Sequence, residues 1–280
     1  MMIGKVKRYV SNKVLSLYLL IVVWLPLWKK PCDKTSDYIV SFTSYGKRIS
    51  KSWMTVKTIL RQKGLKPFKI ILWIADCDKK FVTNKLKNLE RYGLEIRYCD
   101  DYKSYKKIIG TALEYADYRI ITVDDDILYP PKHLKKLVDL SNNHPGCVCC
   151  YLAHRITFDH NKVAKYLDWN NGSIGEVGPS HLLVPIGCDG ILYPKEYFRD
   201  SNLNYKAIQE IAPSADDLWF KFIGLKKQIP AIKVSEDYVF VPNIPGTLYN
   251  GMFAENSKKN DEAIRKLQQF FSINIIDFRD

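Results

Sequence analysis

Three carboxylates stand side by side in "YRIITVDDDILYPP" (118–131), between two apolar runs and ahead of two prolines. Adjacent carboxylates repel one another, and the end of an apolar strand is a costly place to keep three of them. A bound divalent cation would reward the arrangement. In an extended segment side chains alternate, so Asp124 and Asp126 are expected to project together while Asp125 faces away. Two such donors, completed by water and diphosphate oxygens, suit Mg2+ or Mn2+ better than zinc. A solvated acidic turn, or a run capping a helix that starts near Pro131, is the alternative.

Ninety residues beyond Asp126 comes a second acidic group, Asp216 and Asp217, in "PSADDLWFKFIG" (213–224). Residues 214 to 217 could cap a helix whose buried stripe is Leu218, Phe222 and Leu225. Joined directly to Leu218 and Trp219, however, a carboxylate there is partly desolvated, which raises its proton affinity as a general base requires. His154 and His181 are further metal-ligand candidates, although each is more often a packing or surface histidine. "PIGCDGILYP" (185–194) holds Gly187, Asp189 and Gly190 and reads either as a tight turn or as a pocket wall approached closely by backbone. Trp169 and Trp219 could stack on sugar rings or simply fill the core. Lys106 and Lys107 open a helical stripe and could face a diphosphate, or solvent.

The elements that must position these groups alternate regularly. Strand-like runs fall at 38–43, 69–75, 94–99 and 118–123, and helical periods lie between them, the cleanest running from Tyr105 to Ala116. Such alternation predicts an α/β fold with a largely parallel sheet covered on both faces, whose ligands bind beyond the carboxyl ends of the strands. The triplet falls at such an end. Residues 147–153 read as another strand, 158–185 as a long functional loop, and 257–271 as a closing helix.

Composition is that of an ordinary globular protein, 46% hydrophobic and 26% charged over 280 residues. The formal charge of +13 points to an anionic partner. Residues 1–30 carry Lys5, Lys7, Arg8, Lys13, Lys29 and Lys30 and no acid, so the excess is concentrated there. Nucleic acid is therefore not the expected partner, and no familiar nucleic-acid motif is present. Seven cysteines, an odd number, argue against a secreted disulfide scaffold and fit a reducing cytosol. The apolar run "VLSLYLLIVVWLPLW" (14–28) is short for a bilayer span and is flanked by bases and tryptophans, which suits an interfacial anchor on an anionic leaflet. A buried first helix is the plainer reading. The expected division is a membrane-associating segment at 1–36, one catalytic domain at 37–250 and a helical tail at 251–280, with residues 1–30 removable without unfolding the rest.

Taken together, the strand-borne triplet at "VDDDILYP", the later "ADDLW" and the opening "SFTSYGKRI" resemble the GT-A glycosyltransferases, in particular bacterial capsule and lipopolysaccharide sugar transferases. The resemblance covers roughly residues 37–245. It implies a Rossmann-like GT-A fold and an inverting, metal-dependent transfer from a nucleotide-sugar, most often a UDP-sugar, to a glycan or lipid-linked acceptor at the cytoplasmic face of the bacterial inner membrane. By the same resemblance Asp126 holds the metal and Asp124 the ribose or metal, with Asp125 on the donor side. Thr43, Tyr45, Arg48 and Asp76 line the nucleoside site, and Gly187, Asp189, Gly190 and Trp219 the sugar and acceptor pocket. Asp217 matches the second carboxylate of the family's catalytic motif. The usual first residue there is Glu, whereas this chain has Asp216, which leaves the choice of base between the two. A catalytically silent scaffold of the same fold, held at the membrane, and a basic nucleic-acid-binding protein are the alternatives.

Overall fold

The computed structural model describes residues 2–27, 32–201, 203–247 and 252–279, with the side chains of 2–7 and 252–258 left aside. In chain order the elements are α1 (Met2–Val22), β1 (Tyr38–Ser44), α2 (Trp53–Leu60), β2 (Lys69–Ala75), α3 (Asn84–Lys87), β3 (Leu94–Cys99), α4 (Lys106–Glu114), β4 (Arg119–Thr122) and α5 (His133–Asn143). There follow β5 (Val148–Arg155), β6 (Phe158–Asp159), β7 (Lys162–Val163), β8 (Leu183–Tyr193), α6 (Tyr205–Ile211), α7 (Asp216–Lys226), β9 (Ala231–Lys233) and α8 (Met252–Phe271).

Seven strands form one sheet in the order β3-β2-β1-β4-β8-β5-β9. All pairings are parallel except those of β8, which runs antiparallel to both β4 and β5. The α/β expectation of a mostly parallel sheet therefore holds. Period-two alternation sends Val40 and Phe42 to one face with Ile70, Leu72 and Ile74, and Ile39 to the other with Ile71 and Trp73. Helices α1, α2 and α5 cover the first face, while α4, α7 and α8 cover the second.

Three expectations are corrected here. The glycine-containing stretch at 185–194 is not a tight turn; it is most of β8, the one strand that opposes the others. The described residues of the expected segment 1–36 are not detached from the domain, because Leu19, Val23 and Leu27 belong to the core cluster of the first face. Nor does the tail after 251 stand apart: Phe270 and Phe271 of α8 pack on Trp219 with ring centroids 5.4 Å away. The N-terminal helix thus contributes to the core on one face of the sheet and the C-terminal segment, through Phe278, to the core on the other.

The sheet also fixes where a site can form. Successive strands wind outward from β1 toward β2 on one side and β4 on the other, so the order reverses between β1 and β4, and the crevice beyond their carboxyl ends is the natural ligand position. Ser41 pairs with Thr122 in register. Three residues further along each chain that register sets Ser44 beside Asp125.

Candidate active site

The acidic triplet lies just past β4, in a turn and not in a continuing strand. The expected alternation of its side chains consequently fails. Asp125 and Asp126 converge instead on one guanidinium, with Arg48 Nη2 2.5 Å from Asp125 Oδ1 and 2.7 Å from Asp126 Oδ2. Asp124 turns the other way, 3.7 Å from Lys107 Nζ. Arg48 reaches the triplet because β1 ends at Ser44 and the chain continues into a tight 3-10 turn, Gly46–Ser50. Ser44 Oγ donates to Asp125 as the register requires.

Helix α2 clamps the backbone of the same turn. Thr55 Oγ1 lies 2.8 Å from the carbonyl oxygens of both Asp125 and Ile127, and Thr58 Oγ1 accepts the Tyr129 N–H at 3.1 Å. The Asp124 N–H donates to Tyr129 Oη at 2.9 Å, and the Ile244 N–H donates to the Asp126 carbonyl at 2.7 Å. Buried donors and acceptors so fully matched make a rigid turn.

Lys107 joins the triplet to the second acidic group. It is buried in the first turn of α4 and lies 2.9 Å from Asp216 Oδ2 as well as near Asp124. Burial works against its charge, but Asp216, Asp124 and Asp217 together outweigh burial and raise its pKa, so it stays an ammonium. Its height is set by close packing of α4 on the sheet. A Cβ at Gly110 would lie 2.4 Å from the Trp73 ring, Ser41 Oγ donates to the Lys107 carbonyl at 2.6 Å, and Trp73 Nε1 donates to Thr111 Oγ1 at 2.8 Å.

Asp216 and Asp217 are the first two residues of α7, behind Ala215 as N-cap, so neither caps the helix by its side chain. Their charge is favoured by the helix dipole. The Gly187 N–H donates to Asp217 Oδ2 at 3.3 Å, and a side chain at Gly187 would begin 3.1 Å from Lys107 Nζ and 3.3 Å from Asp217 Oδ1. A side chain at this position would crowd both charged groups where β8 passes between them. A cleft of about 140 Å³ opens beside Asp216 and Asp217, with Tyr166, Ile186 and Asn260 on its walls.

The electrostatics of the crevice are those of a site short of positive charge. Burial lifts the Asp126 carboxyl to about 6, with Asp125 and Asp124 adding to the shift and Arg48 opposing it. Asp189, buried in β8, is pushed to about 7 by burial and then by Asp124. Asp217 is raised by burial and by Asp216, against the pull of Lys107. Asp125 is raised by burial despite Arg48. A divalent cation fits this balance. Among the described residues no three His, Cys, Asp or Glu side chains group to hold a metal ion, and Asp124 and Asp126 face different cations, so an ion here would take most of its oxygens from a ligand.

The remaining expected residues divide clearly. Tyr45, about half exposed, lies under Arg48 with 5.2 Å from the guanidinium carbon to the ring centroid. Thr43 is one strand position from the crevice, its hydroxyl donating to the Trp73 carbonyl at 2.9 Å. Asp76 is at the carboxyl end of β2, exposed and paired with Lys79 at 2.7 Å. Lys106 points away from the carboxylates of the crevice to Asp101, 2.8 Å off. Trp219 is fully buried against α8 and offers no face to a sugar, and Trp169 is buried with its Nε1 donating to the Ala164 carbonyl at 3.0 Å. Gly190, at φ +99, lets β8 pass beneath Leu137 of α5 and does not line the cleft. His154 is occupied by the Gly172 N–H, 3.1 Å from Nδ1, and His181 precedes β8 without joining the acidic groups. Sequence reading missed the supports, namely Ser44, Thr55, Tyr129 and Ile244. Ser44 and Tyr129 carried a signal, their places in the quoted "SFTSYGKRI" and "VDDDILYP".

No protein-family model and no curated protein matches the chain. Solved structures do. A mannosyltransferase from Pyrobaculum calidifontis, in complex with GDP-Man and Mn2+, is 12% identical over 96% of this chain and 74% of its own, with a TM-score of 0.53. Residues 1–349 of TarS from S. aureus are 14% identical over 84% of this chain and 72% of theirs, with a TM-score of 0.50. The same TarS region in complex with UDP aligns at a TM-score of 0.47, and this chain spans 55% of its length. At these identities the likeness is one of fold: the chain has the α/β fold of solved glycosyltransferases.

Proposed function

We propose that the chain is a metal-dependent, inverting glycosyltransferase that moves a sugar from a nucleotide-sugar, in our reading a UDP-sugar, to a glycan or lipid-linked acceptor of a bacterial surface polysaccharide. The observation that carries the reading is Lys107, which lies between Asp124 of the triplet and Asp216 of the α7 pair. It makes one crevice of two acidic groups ninety residues apart. The fold shared with a mannosyltransferase supports the same reading.

In this mechanism Asp124 and Asp126 would hold Mn2+ or Mg2+, which would supply Lewis-acid stabilisation of the charge growing on the leaving phosphate. Arg48 and Lys107 add fixed positive charge at the same end. Asp217 takes the proton from the acceptor hydroxyl as its oxygen bonds to the anomeric carbon. The electron pair of the breaking carbon–oxygen bond leaves with the nucleoside diphosphate. A base held at raised pKa by burial is suited to that transfer. Asp125 acts by holding Arg48 and Ser44 in place. We assign the nucleoside to the rim formed by Thr43, Tyr45 and Asp76, and the acceptor to the cleft beside Asp217. Site of action in this reading is the cytoplasmic face of the inner membrane, which the basic N-terminus supports.

The test is thermal stabilisation by a panel of nucleotide-sugars with and without Mn2+. A ligand that binds the folded chain raises its melting temperature, by roughly 3 kcal/mol of added stability at a hundredfold excess over Kd. A rise that needs both the metal and one nucleotide-sugar is expected. No rise with any member of a panel spanning UDP-, GDP-, CDP- and TDP-sugars would remove the proposal.

A further inference from the structure

Helix α1 is apolar on two sides and packed on one. Leu19 and Val23 are buried in the core. On the other side Val10, Val14, Leu17, Tyr18, Ile21 and, in the turn that follows, Trp24 are between 48% and 64% exposed. At 3.6 residues per turn, the helical ones share about a third of the circumference. Among the described residues, Trp53 and Lys85 touch the stripe at Trp24, and its other members stay exposed in one register, which scattered exposure does not produce.

Charge identifies what would cover it. The first acid of the chain is Asp33, so no carboxylate is contributed by α1 or the turn after it. Bases gather at both ends. Lys13 flanks the stripe within the helix and is exposed. At the other end Lys85 of α3 lies 4.8 Å from the Trp24 ring, while Lys57 and Arg61 of α2 donate to the Leu25 carbonyl at 3.0 and 2.5 Å. An apolar strip rimmed by cations, with a tryptophan at its edge, matches an anionic lipid surface: the strip enters the acyl boundary and the rim meets the headgroups.

We propose that α1 docks on an anionic membrane in the plane of the bilayer, through the Val10 to Trp24 stripe, while its opposite face remains part of the protein core. No described helix is long and apolar enough to cross a membrane. The buried face explains why α1 lies flat: lifting it out would expose Leu19, Val23 and Leu27. The domain thereby binds as one rigid piece, not on a tether. This inference stands independently of the transferase reading.

The experiment is flotation of the full chain with vesicles of phosphatidylcholine alone or mixed with phosphatidylglycerol. The wild type is expected to float with the mixed vesicles, to do so far less with phosphatidylcholine, and to be released by salt. Combining Val14→Glu, Leu17→Glu and Ile21→Glu is expected to lower partitioning by about a hundredfold with an unchanged melting temperature. Should that variant not fold, brominated-lipid quenching decides: quenching is expected in the wild type and lost in Trp24→Phe. The proposal is overturned if the wild type does not float, if a folded triple variant floats equally well, or if bromolipids leave Trp24 unquenched. It is equally overturned if the wild type is a dimer that the triple variant dissolves, since the stripe would then join two copies of this chain.

Discussion

The triplet after β4 and the pair opening α7 are both acidic, yet they are held in opposite ways. The triplet is fixed from all sides, its backbone clamped by Thr55, Tyr129 and Ile244 and two of its carboxylates gripped by Arg48. The pair is fixed from few: Lys107 reaches Asp216, and the Gly187 N–H reaches Asp217 at a long 3.3 Å. A rigid group suits a binding role, in which oxygens must already be in place when a ligand arrives. A loosely held, buried carboxylate suits proton transfer, because its hydrogen bonds tighten only when the substrate is present. Under the proposed function, the difference between the two clusters is a division of labour.

Substitutions can break that division. Asp217→Asn is expected to lower transfer by about a hundredfold to ten-thousandfold while UDP binding stays within about threefold of wild type. A near-normal rate would move the base role to Asp216. Arg48→Ala leaves the buried Asp125 carboxylate without its cation and should cost on the order of 3 kcal/mol, read from denaturant unfolding. Should Arg48→Ala match wild type, the triplet is held by its backbone alone. Gly187→Ala places a methyl against Lys107 Nζ and Asp217 Oδ1, so a rate loss of about tenfold with stability changed by less than about 1 kcal/mol is expected.

The smallest effect is the sharpest test of the pair. As the proposed base, Asp217 must be ionised to accept a proton, so activity should rise with pH, and burial together with Asp216 sets that rise above the ordinary carboxylate range. Asp216→Asn removes the like charge and should move the rise to lower pH by roughly one unit. An unmoved profile would mean that the two carboxylates do not interact.

Much of this was legible in the sequence, for a physical reason. Strands β2 and β3 begin and end where the apolar runs do, and α4 follows its one-face stripe, because a buried parallel strand such as β2, a half-covered edge strand such as β3 and an amphipathic helix each write their environment into local pattern. β8 was not legible. It carries Pro185, Gly187, Asp189 and Gly190, a poor strand by propensity, and it exists because β4 and β5 pair with it from far along the chain. Whether a tryptophan is a platform or a core residue also depends on distant packing, and α8 decides it for Trp219. The triplet's position could be read but not its geometry, since β4 ends at Thr122 and the turn at Asp125 and Asp126 cancels the alternation a strand would impose. The buried side of α1 was hidden for a like reason: an apolar helix pattern does not say which of two faces meets protein.

The central claim is that the triplet, and not the pair, grips a metal-bound diphosphate. Titration calorimetry of UDP in the presence of Mn2+, on the wild type, Asp126→Ala and Asp217→Asn, measures it directly. The account predicts binding that needs the metal, weakens by about a hundredfold in Asp126→Ala and persists in Asp217→Asn. Equal affinity in all three proteins, or affinity lost only in Asp217→Asn, would contradict it.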